Sequence, residues 1–290
     1  MRIRKVVLPV AGLGTRVLPA SKVVPKEMLP LVDTPVIQYL IEEAVAAGVE
    51  EVIFVTSRSK RAIEDHFDAF PELEATLEKR GKHKELEELR RVQDMASYVS
   101  VRQSEPLGLG HAILCAKDLV GDEPFLVMLG DELVAPETPC FPRMIDMYER
   151  YNSTVLSLFT SPREKISSYG IVGVREQHGD TVQVSRVIEK PSLEEAPSDL
   201  AIAGRYVLTP DIFEKIERTP PGRGGEIWLT DALDMQAHEG RCYGVTSDVE
   251  RYDTGNPLGL VTTNIAYALK RPDLAPVLRD YMRKALDEHI

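Results

Sequence analysis

The sequence predicts an α/β fold: a Rossmann-like central sheet, mixed but mainly parallel and flanked by helices, with a small antiparallel part and helices at the C-terminal end. Three observations carry that expectation. Apolar runs alternate with amphipathic stretches from residue 6 to residue 129, the rhythm of strand–helix–strand units in a parallel sheet. A glycine-bearing loop breaks out of the first apolar run, where open sheets of this kind bind ligands. From residue 169 the pattern changes to alternating segments joined by hairpin turns. The length of 290 residues allows one large core, or one domain with an appended lobe.

Residues 6–10 (VVLPV) read as a buried strand. The strand breaks into Ala11-Gly12-Leu13-Gly14-Thr15-Arg16, whose two glycines let the backbone approach a ligand. Successive amides in such a turn can form a nest for phosphate oxygens. Arg16 adds a planar cationic fork and Lys26 a movable point charge, and no acidic residue precedes Glu27. This is a local anion site. It is not a Walker loop, since no Gly-Lys-Ser/Thr follows, nor a dinucleotide fingerprint, since Val17 stands where the third glycine belongs. Read alone, a strand followed by GLG is equally an ordinary tight turn.

Composition narrows the function. A formal net charge of −11 argues against nucleic acid or an anionic membrane as partner, and makes any phosphate site a local construction. Cys115, Cys140 and Cys242 form no CxxC pair or metal cluster and read as reduced, core-filling thiols in a cytoplasm. No run is long enough to span a membrane, and the amino terminus leads straight into a strand, so no signal peptide is expected.

Further along, Asp33 and Thr34 are expected to cap a helix with Pro35 in its first turn, ending at Gly48. Residues 52–56 form a second buried strand, and Ser59 is expected to cap a short helix reaching Phe67. Residues 72–96 are dense in alternating charge and read as two solvated helical pieces around Gly81. A strand over 98–102 ends in QSEPLGLGHA; the Gln103 amide offers both a donor and an acceptor to a ligand, although read alone it is an exposed strand end. His111 reads as a capping or packing residue at a helix start.

Residues 124–129 form an apolar strand stopped by Gly130-Asp131-Glu132, and a carboxylate there is placed to hold Mg²⁺ against phosphates or merely to cap the next turn. A helix over 139–150 and a strand over 155–159 follow. Strands over 169–174, 182–189 and 201–208 then enclose a hairpin at Gly179-Asp180. Glu189-Lys190-Pro191 offers an acceptor for hydroxyls and a cation for a phosphate at a strand end, or a plain surface ion pair. In PPGRGGEIWLTD the glycines suggest a mobile loop, Glu226 the first turn of a helix, Trp228 packing rather than chemistry, and Arg223 either a phosphate clamp or a solvated side chain. Asp253 suits an Asx turn onto Gly255. From Pro257 the chain is helical, interrupted at Arg271-Pro272, with Leu274, Val277, Leu278, Tyr281, Met282 and Leu286 forming a stripe that covers this subunit or a neighbour.

GLGTR followed by PKEML resembles the sugar-nucleotide pyrophosphorylases, and among them the bacterial uridylyltransferases acting on glucose 1-phosphate. The resemblance runs from the first strand to the terminal helices with the motifs in order. It implies a nucleotidyltransferase type A-like fold over 1–256, with a nucleotide half (about 1–135) and a sugar-phosphate half (about 136–256), and a helical segment 257–290 for packing or oligomerisation. The implied reaction takes UTP and α-D-glucose 1-phosphate to UDP-glucose and pyrophosphate, with Mg²⁺ as cofactor. By resemblance Ala11, Gly12, Gly14, Thr15, Arg16, Lys26, Gln103 and Gly108 hold the nucleotide. Tyr169, Gly170, Glu189, Lys190 and Gly204 hold the sugar phosphate, with Ala203 and Arg205 completing that pocket. Asp131 and Asp253 hold the metal, and Arg16, Lys26 and Lys190 are catalytic. Glu132 replaces an aspartate common in the family, which puts its own role in doubt. A homodimer or homotetramer is expected. A thymidylyltransferase or a silent sugar-nucleotide-binding subunit stays open; a dehydrogenase is disfavoured by the missing third glycine.

Overall fold

Alternation along the strands sends side chains to two faces, and helices cover both. In β1 (Lys5–Pro9), Val6 and Leu8 enter one apolar core while Val7 enters the other. The computed structural model describes residues 1–135, 137–247 and 250–287, with only the backbone of Arg223. After β1 come the two-residue strands β2 (Pro30–Leu31) and β3 (Thr34–Pro35), then α1 (Val36–Ala46), β4 (Glu51–Thr56) and α2 (Arg61–Phe67). The charged stretch forms α3 (Pro71–Lys79) and α4 (His83–Gln93); α3 buries no residue and α4 is anchored by Leu86 and Val92. Next are β5 (Ser97–Arg102), α5 (Gly108–Cys115), α6 (Lys117–Val120), β6 (Phe125–Met128), β7 (Glu132–Val134), α7 (Phe141–Tyr151) and β8 (Thr154–Thr160). The chain continues with β9 (Gly170–His178), β10 (Thr181–Glu189), β11 (Leu200–Leu208), α8 (Ile212–Arg218) and α9 (Leu229–His238). It closes with β12 (Cys242–Thr246), β13 (Arg251–Asp253), α10 (Pro257–Lys270) and α11 (Ala275–Asp287).

A nine-stranded sheet has the order β5-β4-β1-β6-β11-β8-β12-β10-β9. Its β5-β4-β1-β6 end is wholly parallel, and β11 and β10 run against the rest. The sheet is therefore mixed, its antiparallel part gathered where hairpin signals replaced helix signals. One core lies under α1, α2 and α7, the other under α5, α8 and α9. A separate ribbon pairs β13 with β7 and brings Asp253 opposite Glu132.

Two expected caps are corrected. Pro35, extended at φ −60°, precedes α1 without a side-chain cap, because Thr34 and Pro35 pair with Pro30 and Leu31. Asp33 instead pairs with Arg271 at 2.8 Å. Lys60, not Ser59, precedes α2, and its side chain turns inward. The C-terminal stripe divides likewise. α10 docks through Asn264, which accepts from the Val32 amide at 2.8 Å, and through Tyr267, edge-on to Tyr39. On α11 only Ala275 is buried, and Val277, Tyr281 and Leu286 are exposed, so this part of the stripe does not cover the subunit body.

Candidate active site

The loop after β1 turns on Gly14, whose φ of +65° lies in the left-handed region that glycine occupies freely. A β-carbon there would press on Ser21 at 3.2 Å and Lys26 at 3.4 Å, so Gly14 is what lets the glycine loop and the PKEM turn touch. Ala11, Gly12 and Thr15 line the same turn, with Gly12 and Thr15 exposed. Asp131, after β6, ties the two halves of the motif together. Its Oδ2 accepts from Lys26 Nζ at 2.6 Å and from the Arg16 guanidinium at 3.0 Å. Burial pushes the Asp131 carboxyl up, but Lys26 and Arg16 outweigh it and hold the group below its ordinary 3.8.

Asp253 arrives from the other direction. It accepts from the Gly255 amide at 2.8 Å, the Asx turn expected of it, and from Asn256 Nδ2 at 2.9 Å. A β-carbon on Gly255 would collide with Asp131 Oδ2 and would lie 2.6 Å from the Arg16 guanidinium and 3.0 Å from Asp253 Oδ1. The two carboxylates thus face one another across a glycine. Among the described residues no cluster of three His, Cys, Asp or Glu stands ready for a metal. Two hard oxygen donors without nitrogen or sulfur fit Mg²⁺, which takes one or two carboxylates and completes its shell with water and substrate phosphates.

Arg16, Asp131 and Asp253 form one side of a cleft of about 440 Å³, and Tyr169, Gly170, Glu189 and Lys190 the other. Gly170 pairs with Glu189 across β9 and β10, and a β-carbon on it would meet Thr230 at 2.9 Å and Glu189 Oε2 at 3.4 Å. Lys190 sits 3.1 Å from Glu189 Oε1, its amide bonded to the Tyr169 carbonyl at 3.0 Å. Its φ of +44° is left-handed, an uncommon backbone state for a lysine.

Gly204 is buried in β11, its carbonyl accepting from the Leu129 amide, and a β-carbon there would jam against Glu132 Oε2. Gln103 is buried rather than an exposed strand end. Its Nε2 donates to the Gly108 carbonyl at 3.0 Å and lies 3.0 Å from His111 Nδ1. Gln103 and Gly108 are therefore bonded to each other, outside the residues that line the cleft.

The sequence missed several groups. Arg205 does not complete the sugar pocket: it is fully buried, turned into the core onto Glu43 at 2.8 Å and the Glu132 carbonyl at 2.7 Å. Glu132 lines the cleft, with Oε1 on Arg251 and Oε2 buried without a partner among the described residues. Burial pushes its carboxyl up, against Arg251 and Arg205. Glu226 is extended ahead of α9 rather than in its first turn, and lines the cleft with Trp228. Trp228 also packs on Gly222, so it is a wall of the cleft rather than core. The loop carrying both lies on the Gly108 turn, where Ile227 accepts from the Gly110 amide at 2.9 Å and donates to the Leu107 carbonyl at 2.8 Å. The glycines at 108 and 110, which leave room for that backbone, were the only signal available. The Arg223 side chain lies outside the described residues.

The sequence pattern of nucleotidyl transferases matches residues 5–269. The chain belongs to the nucleotidyl transferase family. Within this family it is 47% identical over 287 residues to the UTP–glucose-1-phosphate uridylyltransferase of Bacillus subtilis, covering 99% of this chain and 98% of that one. Among solved nucleotidyl transferases it is similar to a UTP-bound UGPase from Acinetobacter baumannii, with a TM-score of 0.89, 40% identity and coverage of 97% and 99% of the two chains. It is also similar to a UDP-glucose pyrophosphorylase complexed with UDP-glucose, with a TM-score of 0.84, 40% identity and coverage of 93% and 100%.

Proposed function

We propose that this nucleotidyl transferase moves the uridylyl group of UTP onto α-D-glucose 1-phosphate, releasing pyrophosphate and forming UDP-glucose. The observation that carries the reading is one cleft with a cation at each end: Arg16 on one side, bonded like the neighbouring Lys26 to Asp131, and Lys190 beside Glu189 on the other. Full-length uridylyltransferase relatives support it against a thymidylyltransferase. The presence of Arg16, Lys26, Asp131, Glu189, Lys190 and Asp253 supports it against a silent binding subunit.

The sugar's phosphate oxygen attacks the α-phosphorus in line and pyrophosphate leaves. The nucleophile is already an anion and needs no Ser, Cys or His to activate it. The obstacle is bringing two polyanions together and holding the charge that develops. Arg16, Lys26 and the amides of residues 11–16 take the triphosphate. Gln103 and Gly108 take the uracil side. Lys190 orients the acceptor phosphate while Glu189, Tyr169, Gly170 and Gly204 shape the seat of the hexose. Asp131 with Asp253 is the pair that would hold Mg²⁺, whose charge neutralises neighbouring phosphates. In this reading residues up to about 135 form the nucleotide half and residues 136–256 the sugar-phosphate half.

The test is pyrophosphate release measured across nucleoside triphosphates and sugar 1-phosphates. UTP with glucose 1-phosphate is expected to be fastest; a faster rate with dTTP, or no release with any pair, overturns the assignment.

A further inference from the structure

The PKEM turn holds a charged group that the reaction above leaves unused. Glu27 is fully buried although it directly follows Lys26. Its Oε2 accepts from Lys60 Nζ at 2.8 Å, and Lys60 is itself buried where α2 begins. Its Oε1 is buried and has no hydrogen-bond partner among the described residues. That oxygen stands 3.9 Å from Lys26 Nζ. The side chain is wedged against two strand ends: a β-carbon built on Gly130 would lie 2.9 Å from Glu27 Cγ and 3.5 Å from Val10 Cγ1. Glu27 is therefore fixed among the end of β1, the start of α2 and the loop that presents Asp131.

A buried acceptor without a donor is costly. The Lys26 ammonium, 3.9 Å away, is already engaged, since it donates to Asp131 Oδ2, which also accepts from Arg16. Both cationic side chains sit on the one oxygen, Oδ2. A divalent cation held by the same carboxylate repels the neighbouring Lys26 ammonium and weakens its hold on Asp131. A lysine released into an open cleft loses its aim at the triphosphate, whereas Oε1 needs only about 1 Å of further approach to become an ordinary partner.

We propose that Glu27, clamped by Lys60, is a positioning residue: its Oε1 receives the Lys26 ammonium when Asp131 turns to a divalent cation, so that metal and nucleotide favour each other's binding. The proposal rests on the assignment of Asp131 to the metal. Lys60 fixes the carboxylate so that the seat does not move with its occupant.

The test is calorimetric UTP binding without sugar phosphate, in EDTA and in saturating Mg²⁺, for the wild-type chain, Glu27→Gln and Asp131→Asn. Wild type is expected to gain about tenfold or more in UTP affinity from Mg²⁺, within the usual span of such couplings. Glu27→Gln keeps the shape and can still accept from Lys60, but turns an amide NH₂ toward Lys26. It should hold its EDTA affinity within about threefold and lose most of the gain. Asp131→Asn should lose the gain as well. If Asp131→Asn loses the gain and Glu27→Gln keeps it, the metal assignment stands and the positioning role is overturned. If wild type shows no gain, or Asp131→Asn retains it, the metal assignment fails and the proposal falls with it. Should Glu27→Gln melt early, the neutral pair Glu27→Met with Lys60→Met, which leaves no buried charge unpaired, carries the same comparison. A purely structural role would shift melting temperature and leave the metal-dependent gain unchanged.

Discussion

At the scale of single residues, Lys190 carries two burdens. Its ammonium is assigned to the acceptor phosphate, and its backbone is left-handed at φ +44° with its amide bonded to the Tyr169 carbonyl. A side chain in that state costs about 1 kcal/mol or more. Lys190→Ala should lower kcat by about 10²–10³ while UTP still binds, the usual loss of one fixed donor to developing charge. Lys190→Gly should be equally slow yet melt higher than Lys190→Ala, by about 1 kcal/mol of relieved strain. Equal melting of the two would remove the strain argument, and near-normal synthesis of UDP-glucose would remove the catalytic one. Asp131 admits a simpler check. Its alanine variant should lose activity and metal dependence together, and full activity of that variant after chelation would exclude it from the metal site.

At the scale of elements, buried and exposed ion pairs contribute very differently. Arg205, fully buried in β11, reaches Glu43 on α1 and the carbonyl at the start of β7, fastening three elements beneath the cleft. Arg205→Met leaves Glu43 facing the core without a cationic partner, and should lower stability by about 3–5 kcal/mol in denaturant titration. Arg90→Ala breaks an exposed pair with Glu74 between α4 and α3, and should cost less than about 1 kcal/mol. Asp211 joins the start of α8 to α9 and to the segment before β12 through Gln236 and Arg241. Burial raises its carboxyl, but Thr209, Gln236, Arg241 and Lys215 together hold it below 3.8. A depressed carboxyl stabilises the fold above its unfolded value, and that contribution disappears as pH falls through the depressed value. Melting of the wild-type chain should therefore fall more steeply with acid below 3.8 than melting of Asp211→Asn. Parallel curves would assign the acid sensitivity elsewhere.

For the whole molecule, the nine-stranded sheet carries the loops of Arg16 and Asp131 and the strand end at Glu189, the separate ribbon carries Asp253, and a core covers each face of the sheet. The three thiols report on that packing. Cys140 and Cys242 are buried, and burial pushes the Cys140 thiol up to about 12, leaving almost no thiolate. Cys115 is only half-buried. A thiol reagent at neutral pH should modify Cys115 alone in the folded chain and all three after denaturation; rapid native labelling of Cys140 would show that the core opens readily.

Much of this was legible in the sequence because it is local. The 6–10 run, the glycines of GLGTR, the prolines bounding KEML and the Gly179-Asp180 hairpin act on their immediate neighbours, so pattern alone marked the strands of the large sheet other than β12, the glycine loop and the change to antiparallel pairing. Caps failed where a distant partner competed: Asp33 goes to Arg271, and the residue preceding α2 is Lys60, whose buried side chain is drawn to Glu27. Tertiary structure alone decided which charges meet, since Arg16 and Lys26 reach Asp131 across more than a hundred residues and Arg205 reaches Glu43 across 162. Spacing along the chain encodes only what the next few turns of backbone bring together, whereas burial and ion pairing depend on which strands lie side by side. The sequence thus determined which groups are proposed to bind phosphate, and the tertiary structure decided that Arg16, Asp131, Glu189, Lys190 and Asp253 share one cleft.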